Sequence, residues 1–349
     1  MSTPPAQHSA PDTPDTEAFA FVAVHVQATG IHPSTGRLLT IDAVTFNEDG
    51  EIGEEFHAVF NPGGDPGPRH THGRDASDFA QAPKFSRHLK TLDRLIDART
   101  LIVHDSPLVW GFIVSEARRA MNAAARANRS RNRRNGRRRQ RVGHVPRPTE
   151  IVDTLDNARR LGVIPTDIRL PAIAAALGMD VPSPVASVER ASRAEDDTSR
   201  EATLLLVDTF LELRERDAAT GYAPEELAPD RFGLQRSVVR VDAANAPRGA
   251  DNPGAYTPQR GLVAGMEIVV TDDLRVHPDE VIAAATEHDL NYVEKLSRET
   301  SLVVSDALEA GAELTGKAMH AHRKGIPVLS GEEFLAAASQ PPRRGDAVD

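Results

Sequence analysis

Short apolar runs separated by turn-forming residues dominate the start of the chain. Residues 19–26 and 38–47 form two such runs, and residues 54–61 alternate between apolar and polar positions. Segments of this length and pattern are typical of strands. The dipeptide Asp49-Gly50 between the second and third segments favours a hairpin turn. The pattern therefore predicts a three-stranded antiparallel meander.

Helical spacing of apolar residues follows the meander. The expected helices lie at residues 85–98, 109–125, 155–161, 170–177 and 199–216. Two short apolar segments between them, at residues 100–104 and 150–153, are expected to be strands. Because strands and helices alternate after the meander, residues 19–216 are predicted to form an α/β domain with a mixed sheet and flanking helices.

The apolar periodicity fades between residues 217 and 257, where Pro, Asn and Asp accumulate. We interpret this segment as a connector, with some order expected around residues 232–241. A second alternating pattern occupies residues 258–339. Its expected strands lie at 266–271, 301–305 and 326–329, and its expected helices at 279–288, 317–324 and 332–338. This alternation predicts a second, smaller domain with a mostly parallel sheet.

The composition is that of a soluble globular protein, with 40% hydrophobic and 26% charged residues. The lack of cysteine excludes disulfides and thiolate metal sites. No run approaches the roughly 20 apolar residues of a membrane span. Residues 1–18 lack the apolar core of a signal peptide and, like residues 340–349, are expected to be a disordered tail. We expect a cytoplasmic protein without membrane contact.

A block of nine arginines without an acid interrupts a chain whose formal net charge is −10. This arginine block, an insertion at residues 126–141, comprises Arg126, Arg129, Arg131, Arg133, Arg134, Arg137, Arg138, Arg139 and Arg141. Like charges repel and nothing apolar is present to bury, so the block is not expected to fold alone.

Three interpretations of the arginine block remain open. It could contact the phosphates of a nucleic acid, dock onto an acidic protein partner, or close onto the acidic remainder of its own chain. Arginine suits bidentate phosphate contacts, although a GC-rich codon bias would select the same residue. We favour local, salt-sensitive contact with nucleic acid, and with DNA over RNA.

Residues 18–216 resemble the DEDD 3′–5′ exonucleases, among them the proofreading epsilon subunit of bacterial DNA polymerase III. The resemblance rests on FVAVHVQATGIHPSTGRLLTIDAVTFNEDG, TLIVHDSPLVWGF and EIVDTLDNARRLG, together with the last helix, in the order that the family has. It implies a ribonuclease H-like fold. In active members it also implies two Mg²⁺ or Mn²⁺ ions that activate a water molecule.

The metal-binding carboxylates of this family are missing from the aligned positions. The Asp-x-Glu pair that ends the first strand is His25 and Gln27 here, and the Asp before the Gly-Phe step is Val109. The His and Asp of the third motif align with Ala194 and Ser199. Because Mg²⁺ requires several anionic oxygens, the prediction is a degenerate site with no metal and no cofactor.

An active metal-dependent exonuclease with an atypical site stays open as the alternative. A register shift of two or three residues would bring Asp196 or Asp197 into the third motif, but it would not restore the pair on the first strand. Such an enzyme could instead recruit His25 and Asp105. If no such site exists, Asp105 and Asp153 are each expected to cap the helix that follows.

Two further candidates have simpler interpretations. His70 and His72 lie in a Pro/Gly-rich loop with no evident third ligand, so packing within the loop or solvation is expected more than a metal site. Asp42 lies in the second strand segment and is expected to have a local polar partner.

Residues 258–339 resemble a BRCT domain of the kind fused to bacterial NAD-dependent DNA ligase. LVAGMEIVVTDDL, TSLVVSD and GKAMHAHRKGIPVLSGEEFLAAA carry the resemblance. It implies recognition of DNA ends or phosphorylated partners, with a phosphate site at Thr271 and Lys317. Asp272 and Asp273 depart from the family pattern, which has Gly after the Thr, and would repel an anion.

These observations predict a non-catalytic exonuclease-fold module that binds nucleic acid, or a replication or repair protein, in DNA replication or repair. An adaptor that works only through the BRCT-like domain is the third possibility. A nuclease assay with added metal separates the first hypothesis from an active exonuclease.

Overall fold

The computed structural model describes residues 15–132, 141–181, 187–188, 192–311 and 313–340. A six-stranded mixed sheet has the order β3-β2-β1-β4-β5-β6. Its strands are β1 (Phe21–Ala28), β2 (Leu38–Phe46), β3 (Ile52–Val59), β4 (Thr100–Val103), β5 (Glu150–Asp153) and β6 (Gly221–Tyr222). β1, β2 and β3 pair antiparallel, whereas β4 is parallel to both β1 and β5. The predicted meander and mixed sheet are confirmed.

Helices cover both faces of this sheet. They are α1 (Ala76–Gln81), α2 (Leu89–Ile96), α3 (Ser106–Asn132), α4 (Thr154–Arg160), α5 (Leu170–Ala176) and α6 (Glu195–Glu215). Strand side chains alternate between the two faces. Val22 and Val24 accordingly join the core that α2 and α3 complete, and Ala23 joins the core that Leu206 and Phe210 of α6 complete.

The helix α3 continues seven residues beyond its predicted end and includes the first part of the arginine block. Arg126 and Arg129 are exposed on it. The block was not expected to fold alone, and here its first residues lengthen a helix that is already nucleated by a buried, alanine-rich segment. Adding residues to an existing helix avoids the cost of nucleation, and Ala and Arg both have high helix propensity.

The segment interpreted as a connector contains regular structure. β6 pairs with β5 of the first sheet, and β7 (Leu227–Pro229) pairs with β8 (Gln235–Ser237). The helix α7 (Val238–Asn245) begins at Ser237, whose Oγ accepts a hydrogen bond from the Arg240 N–H at 3.2 Å. These elements are short and rely on polar contacts, so they leave no hydrophobic periodicity in the sequence.

A four-stranded parallel sheet follows, with the order β10-β9-β11-β12. Its strands are β9 (Glu267–Val270), β10 (Asn291–Tyr292), β11 (Thr300–Val304) and β12 (Val328–Leu329). The helices α8 (Pro278–Glu287), α9 (Gly316–Lys324) and α10 (Gly331–Ala338) match the predicted ones. The predicted small parallel sheet is confirmed, with the two-residue β10 in addition. Across the described ranges, no helix is both long enough and apolar enough to cross a membrane.

Candidate functional site

The positions aligned with the exonuclease ligands do not all meet. His25 and Gln27 lie in the second half of β1, on the face that packs against α6. Ala194 directly precedes α6, and Ser199 is buried in its first turns. Val109 is only 6% exposed and belongs to the core on the α3 face. The structure therefore brings the β1 positions towards the start of α6 and leaves Val109 as a packing residue.

The amide of Gln27 is hydrogen-bonded at both ends within the protein. Its Nε2 donates to Glu195 Oε1 at 2.7 Å, and its Oε1 accepts from Thr40 Oγ1 at 3.1 Å. Glu195 in turn packs against Gly73, where an added Cβ would lie 2.2 Å from the carboxylate oxygen. The end of β1 is thus closed by the start of α6.

A polar network, buried at Asp42 and Ser199 and exposed at Asp196, lies beside Gln27. We call Asp42, His57, Arg74, Asp196 and Ser199 the Asp42 network. Asp42 Oδ2 accepts a hydrogen bond from Ser199 Oγ, and Asp42 Oδ1 lies 2.7 Å from His57 Nδ1. His57 Nε2 is 3.1 Å from Asp196 Oδ1, and Asp196 also pairs with Arg74. The network ties α6 to β2 and β3, and the partner of Asp42 in α6 is distant in sequence where a local one was expected.

Charge within the Asp42 network favours the protonated form of His57. The hydrogen bond to Asp42 raises the His57 pKa above its ordinary value near 6.5, against the effect of burial, and Asp196 adds to the rise. The hydrogen bond from Arg74 lowers the pKa of Asp196. With both ring nitrogens beside carboxylates, the imidazolium is the form that the site stabilises.

Replacing His57 by Gln is expected to change how stability depends on pH. Because the folded-state pKa of His57 is raised, its contribution is fully present below the unfolded pKa and is lost as pH rises through the folded pKa. Urea unfolding of wild type and variant from about pH 6 to about pH 9 measures this difference. The variant should lose less stability than wild type as pH rises.

The matched control for this measurement is His88→Gln. Burial lowers the pKa of His88, so its contribution is lost as pH falls below the unfolded pKa near 6.5. Measured from about pH 5 to about pH 7, this variant should therefore change the pH slope in the opposite direction. An unchanged slope in His57→Gln would show that the imidazolium does not stabilise the network.

The other histidine and acid candidates pack locally. His72 is buried against the Phe79 ring, with centroids 4.9 Å apart, and its Nε2 is 3.3 Å from Gly67 O, whereas His70 is exposed. Packing within the loop, as expected, therefore describes His72. Within the described part of the chain, no three His, Asp or Glu side chains are grouped closely enough to hold a metal ion.

Asp153 caps α4, as predicted, and also contacts the start of α3. Its carboxylate accepts from the Leu155 N–H at 3.0 Å, from the Asp105 N–H at 3.0 Å and from the Ser106 N–H at 2.6 Å. Asp105 itself has a left-handed φ of 66°. Burial, followed by the nearby Asp153 charge, raises the pKa of Asp105 to about 7, although a Leu108 backbone hydrogen bond opposes the rise. That bond supports the predicted capping role.

The two predicted phosphate ligands lie beside an internal ion cluster. The Thr271 hydroxyl donates to Val304 O at 2.8 Å, and Lys317 Nζ lies 3.6 Å from Glu294 Oε2. Arg240 pairs with Asp272 and, at 2.8 Å, with Glu294. We call Arg240, Asp272, Glu294 and Lys317 the Arg240 cluster. Phosphate binding at Thr271 and Lys317 stays a prediction.

The pKa values of the acids in the Arg240 cluster are set by their ion pairs with Arg240. Burial alone would raise the pKa values of Asp272 and Glu294, but the Arg240 charge outweighs it, and the pKa of Glu294 falls to about 2. Burial lowers the pKa of Lys317, against the attraction of both carboxylates. Of the two acids that were expected to repel an anion, Asp272 is therefore paired with Arg240, whereas Asp273 accepts from the hydroxyls of Thr271 and Ser305.

The arginine block lies only partly within the described residues. Arg126, Arg129 and Arg141 are exposed, and Arg131 belongs to the helical backbone of α3. Arg133, Arg134, Arg137, Arg138 and Arg139 lie outside the described residues.

No protein-family model matches the chain, and no curated protein matches it. Among solved structures, exonuclease X in complex with 5′ overhanging duplex DNA is 18% identical over 54% of this chain and 90% of its own, with a TM-score of 0.33. Product-bound exonuclease I is 14% identical over 56% of this chain and 44% of its own, with a TM-score of 0.37. A chain from the yeast NOT1 MIF4G domain co-crystallised with CAF1 is 10% identical over 58% of this chain and 81% of its own, with a TM-score of 0.37.

Proposed function

We propose that this protein is a nucleic-acid-binding module with the ribonuclease H-like fold of DEDD exonucleases, and that it does not cleave its ligand. The observation that carries the proposal is the end of β1, where Gln27 replaces a family carboxylate and is bonded to Glu195 and Thr40. The basic extension of α3 then supplies the binding surface.

The sheet supports the fold assignment. An antiparallel β1–β2–β3 meander joined edgewise to the parallel strands β4 and β5 gives a mixed sheet covered by helices on both faces. This arrangement is consistent with a nuclease-like fold. The order of the sequence motifs supports our proposal that the fold is of the epsilon type within the DEDD family.

The electrostatics of the degenerate site support the absence of two-metal catalysis. That chemistry needs several carboxylates free to bind hard cations. Glu195 is occupied by Gln27, and Asp196 is paired with Arg74 and His57. The acids nearest the old ligand positions are therefore already engaged by side chains of the protein itself, Glu195 by a neutral amide and Asp196 by cationic groups.

The charge on α3 supports binding of nucleic acid. Glu116 is the single acid in the α3 sequence, and it is buried. It pairs with Arg37 at 2.5 Å and with Arg119 at 3.2 Å, far along the helix from Arg126 and Arg129. No acid of α3 therefore offsets the exposed arginines, which suit phosphate contacts.

The parallel sheet of the second domain, with its three helices, is consistent with the BRCT-like assignment. We propose that this domain joins the protein to a replication or repair partner. Thr271 and Lys317 remain the candidate phosphate ligands for that contact.

A nuclease assay tests the proposed absence of catalysis. Incubated with 3′-labelled and 5′-labelled single-stranded DNA and either Mg²⁺ or Mn²⁺, the protein should leave the DNA at full length while retarding it on a gel at low salt. Shortening from the 3′ end that a chelator abolishes would contradict the proposal. The variants His25→Ala and Asp105→Asn would then show whether an atypical site is responsible.

A further inference from the structure

A cavity of about 350 Å³ is lined by residues of both domains and of the segment that connects them. It lies against the starts of α3 and α4, the β7–β8 hairpin, α7 and the loop before α8. This volume is within the range of small-molecule sites. Apolar side chains form much of its wall, among them Leu108, Leu155, Ile168 and Leu234.

Two arginines of the cavity have unused donors. The Arg159 guanidinium lines the cavity and makes no hydrogen bond or close ion pair among the described residues, although its charge acts on Asp105 and Asp272. Arg236 Nε is buried without a hydrogen-bond partner, and the nearest acid, Asp230, is 3.6 Å away. The Nδ1 of His32, a third lining residue, is buried and unpartnered as well. Buried donors without partners are uncommon in folded proteins, and a bound ligand is one explanation for them.

The carboxylates of the same cavity are already occupied. Asp153 accepts four backbone N–H groups, and Asp156 pairs with Arg160. Asp272 pairs with Arg240, and Asp279 accepts from the Ser237 hydroxyl at 2.6 Å. The spare hydrogen-bonding capacity of the cavity therefore consists of donors.

Asp105, the fifth cavity carboxylate, differs from these four because its pKa is raised into the neutral range. Burial raises its pKa to about 7, the Asp153 and Asp272 charges contribute to the rise, and Arg159 opposes it. Tyr222 also lines the cavity, and burial raises its pKa, so it stays neutral. Below neutral pH the protonated Asp105 adds no negative charge to the cavity.

We infer that this cavity binds a small oxyanion, either free phosphate or a phosphate monoester, through Arg159 and Arg236. Guanidinium groups bind such anions by charge-assisted hydrogen bonds, and the apolar wall leaves room for the organic part of a monoester. The site is separate from the arginine block and does not depend on the proposed nucleic-acid binding.

Isothermal titration of the full chain with sulfate, at ionic strength matched by chloride, tests the inference. Sulfate keeps its charge near neutral pH, so any change with pH reports on the protein. Arg159→Gln and Arg236→Gln should each weaken the cavity site by about tenfold or more. Arg118→Gln, an equivalent change on the exposed face of α3, is the control for sulfate bound elsewhere.

The pH dependence gives a second readout. Sulfate binding by wild type should weaken as pH rises from about 6 to about 8, because Asp105 ionises, and Asp105→Asn should remove this dependence. Titration with phosphate and with a nucleoside 5′-monophosphate then distinguishes the two sources, since a monoester that fits the apolar wall should bind more tightly than phosphate. Equal sulfate binding by folded Arg159→Gln and Arg118→Gln proteins would overturn the inference.

Discussion

Replacing all nine arginines of the arginine block by glutamine is expected to weaken binding of single-stranded DNA by about hundredfold or more at low salt. Each neutralised phosphate releases condensed counterions, so the loss should appear as a shallower dependence of log K on log salt. The slope should fall by about 0.7 for every phosphate contact removed. Fluorescence anisotropy of a labelled oligonucleotide at several salt concentrations measures both quantities.

The matched control keeps the charge and changes its geometry. A variant with nine lysines retains the electrostatic term but loses the planar, bidentate guanidinium, so it should bind between wild type and the glutamine variant. Equal affinity of the glutamine variant and wild type would refute the assignment of the block as the nucleic-acid surface. It would then favour docking on an acidic protein, or closure onto the chain itself.

Replacing Arg240 by Met is expected to destabilise the folded protein by about 2–3 kcal/mol. Arg240 is 7% exposed as a side chain and holds the carboxylates of Asp272 and Glu294. Its removal leaves two partly exposed acids without their main counter-charge, and Lys317 alone, at 3.6 Å from Glu294, does not replace it. Urea unfolding followed by circular dichroism measures the change, with hydrogen exchange in β9 and β11 locating it.

The control for Arg240 is Arg200→Met. Arg200 makes two hydrogen bonds of 2.7 Å with Glu55, but both side chains are about half exposed, so the loss should stay within about 1 kcal/mol. If Arg240→Met were no more destabilising than this control, α7 would not be an integral part of the second domain's packing.

Apart from the two-residue strands β6 and β10, the strands of both sheets could be predicted because their cores are continuous in sequence. β2 is buried at every position, and β9 and β11 are buried throughout, so each appears as an apolar run between turn residues. The connector could not be predicted this way. Its order depends on contacts such as those of Arg240 and of Ser237 with Asp279, which are polar and carry no period.

The candidate site, too, could be predicted from the sequence only in part. The missing carboxylates at His25, Gln27 and Val109 are visible in the sequence, since a motif is local. The bonds that replace metal binding are not local, because Gln27 and Glu195 are 168 residues apart and Asp42 and Ser199 are 157 apart. A single sequence carries no signal that two residues so far apart are in contact.

At the C-terminal end of α3, the residues proposed to bind nucleic acid follow the residues that pack in the core. Ala124 is the last buried residue among the α3 side chains that the structure describes, and Arg126, the first residue of the arginine block, is exposed two positions later. From Ala124 to Asn132 the helix extends about 12 Å, at 1.5 Å per residue. Substitutions at Arg126 and Arg129, which are exposed, leave the buried side chains of α3 unchanged. Natural variation at these two positions could therefore adjust affinity one charge at a time with little change in the folding free energy.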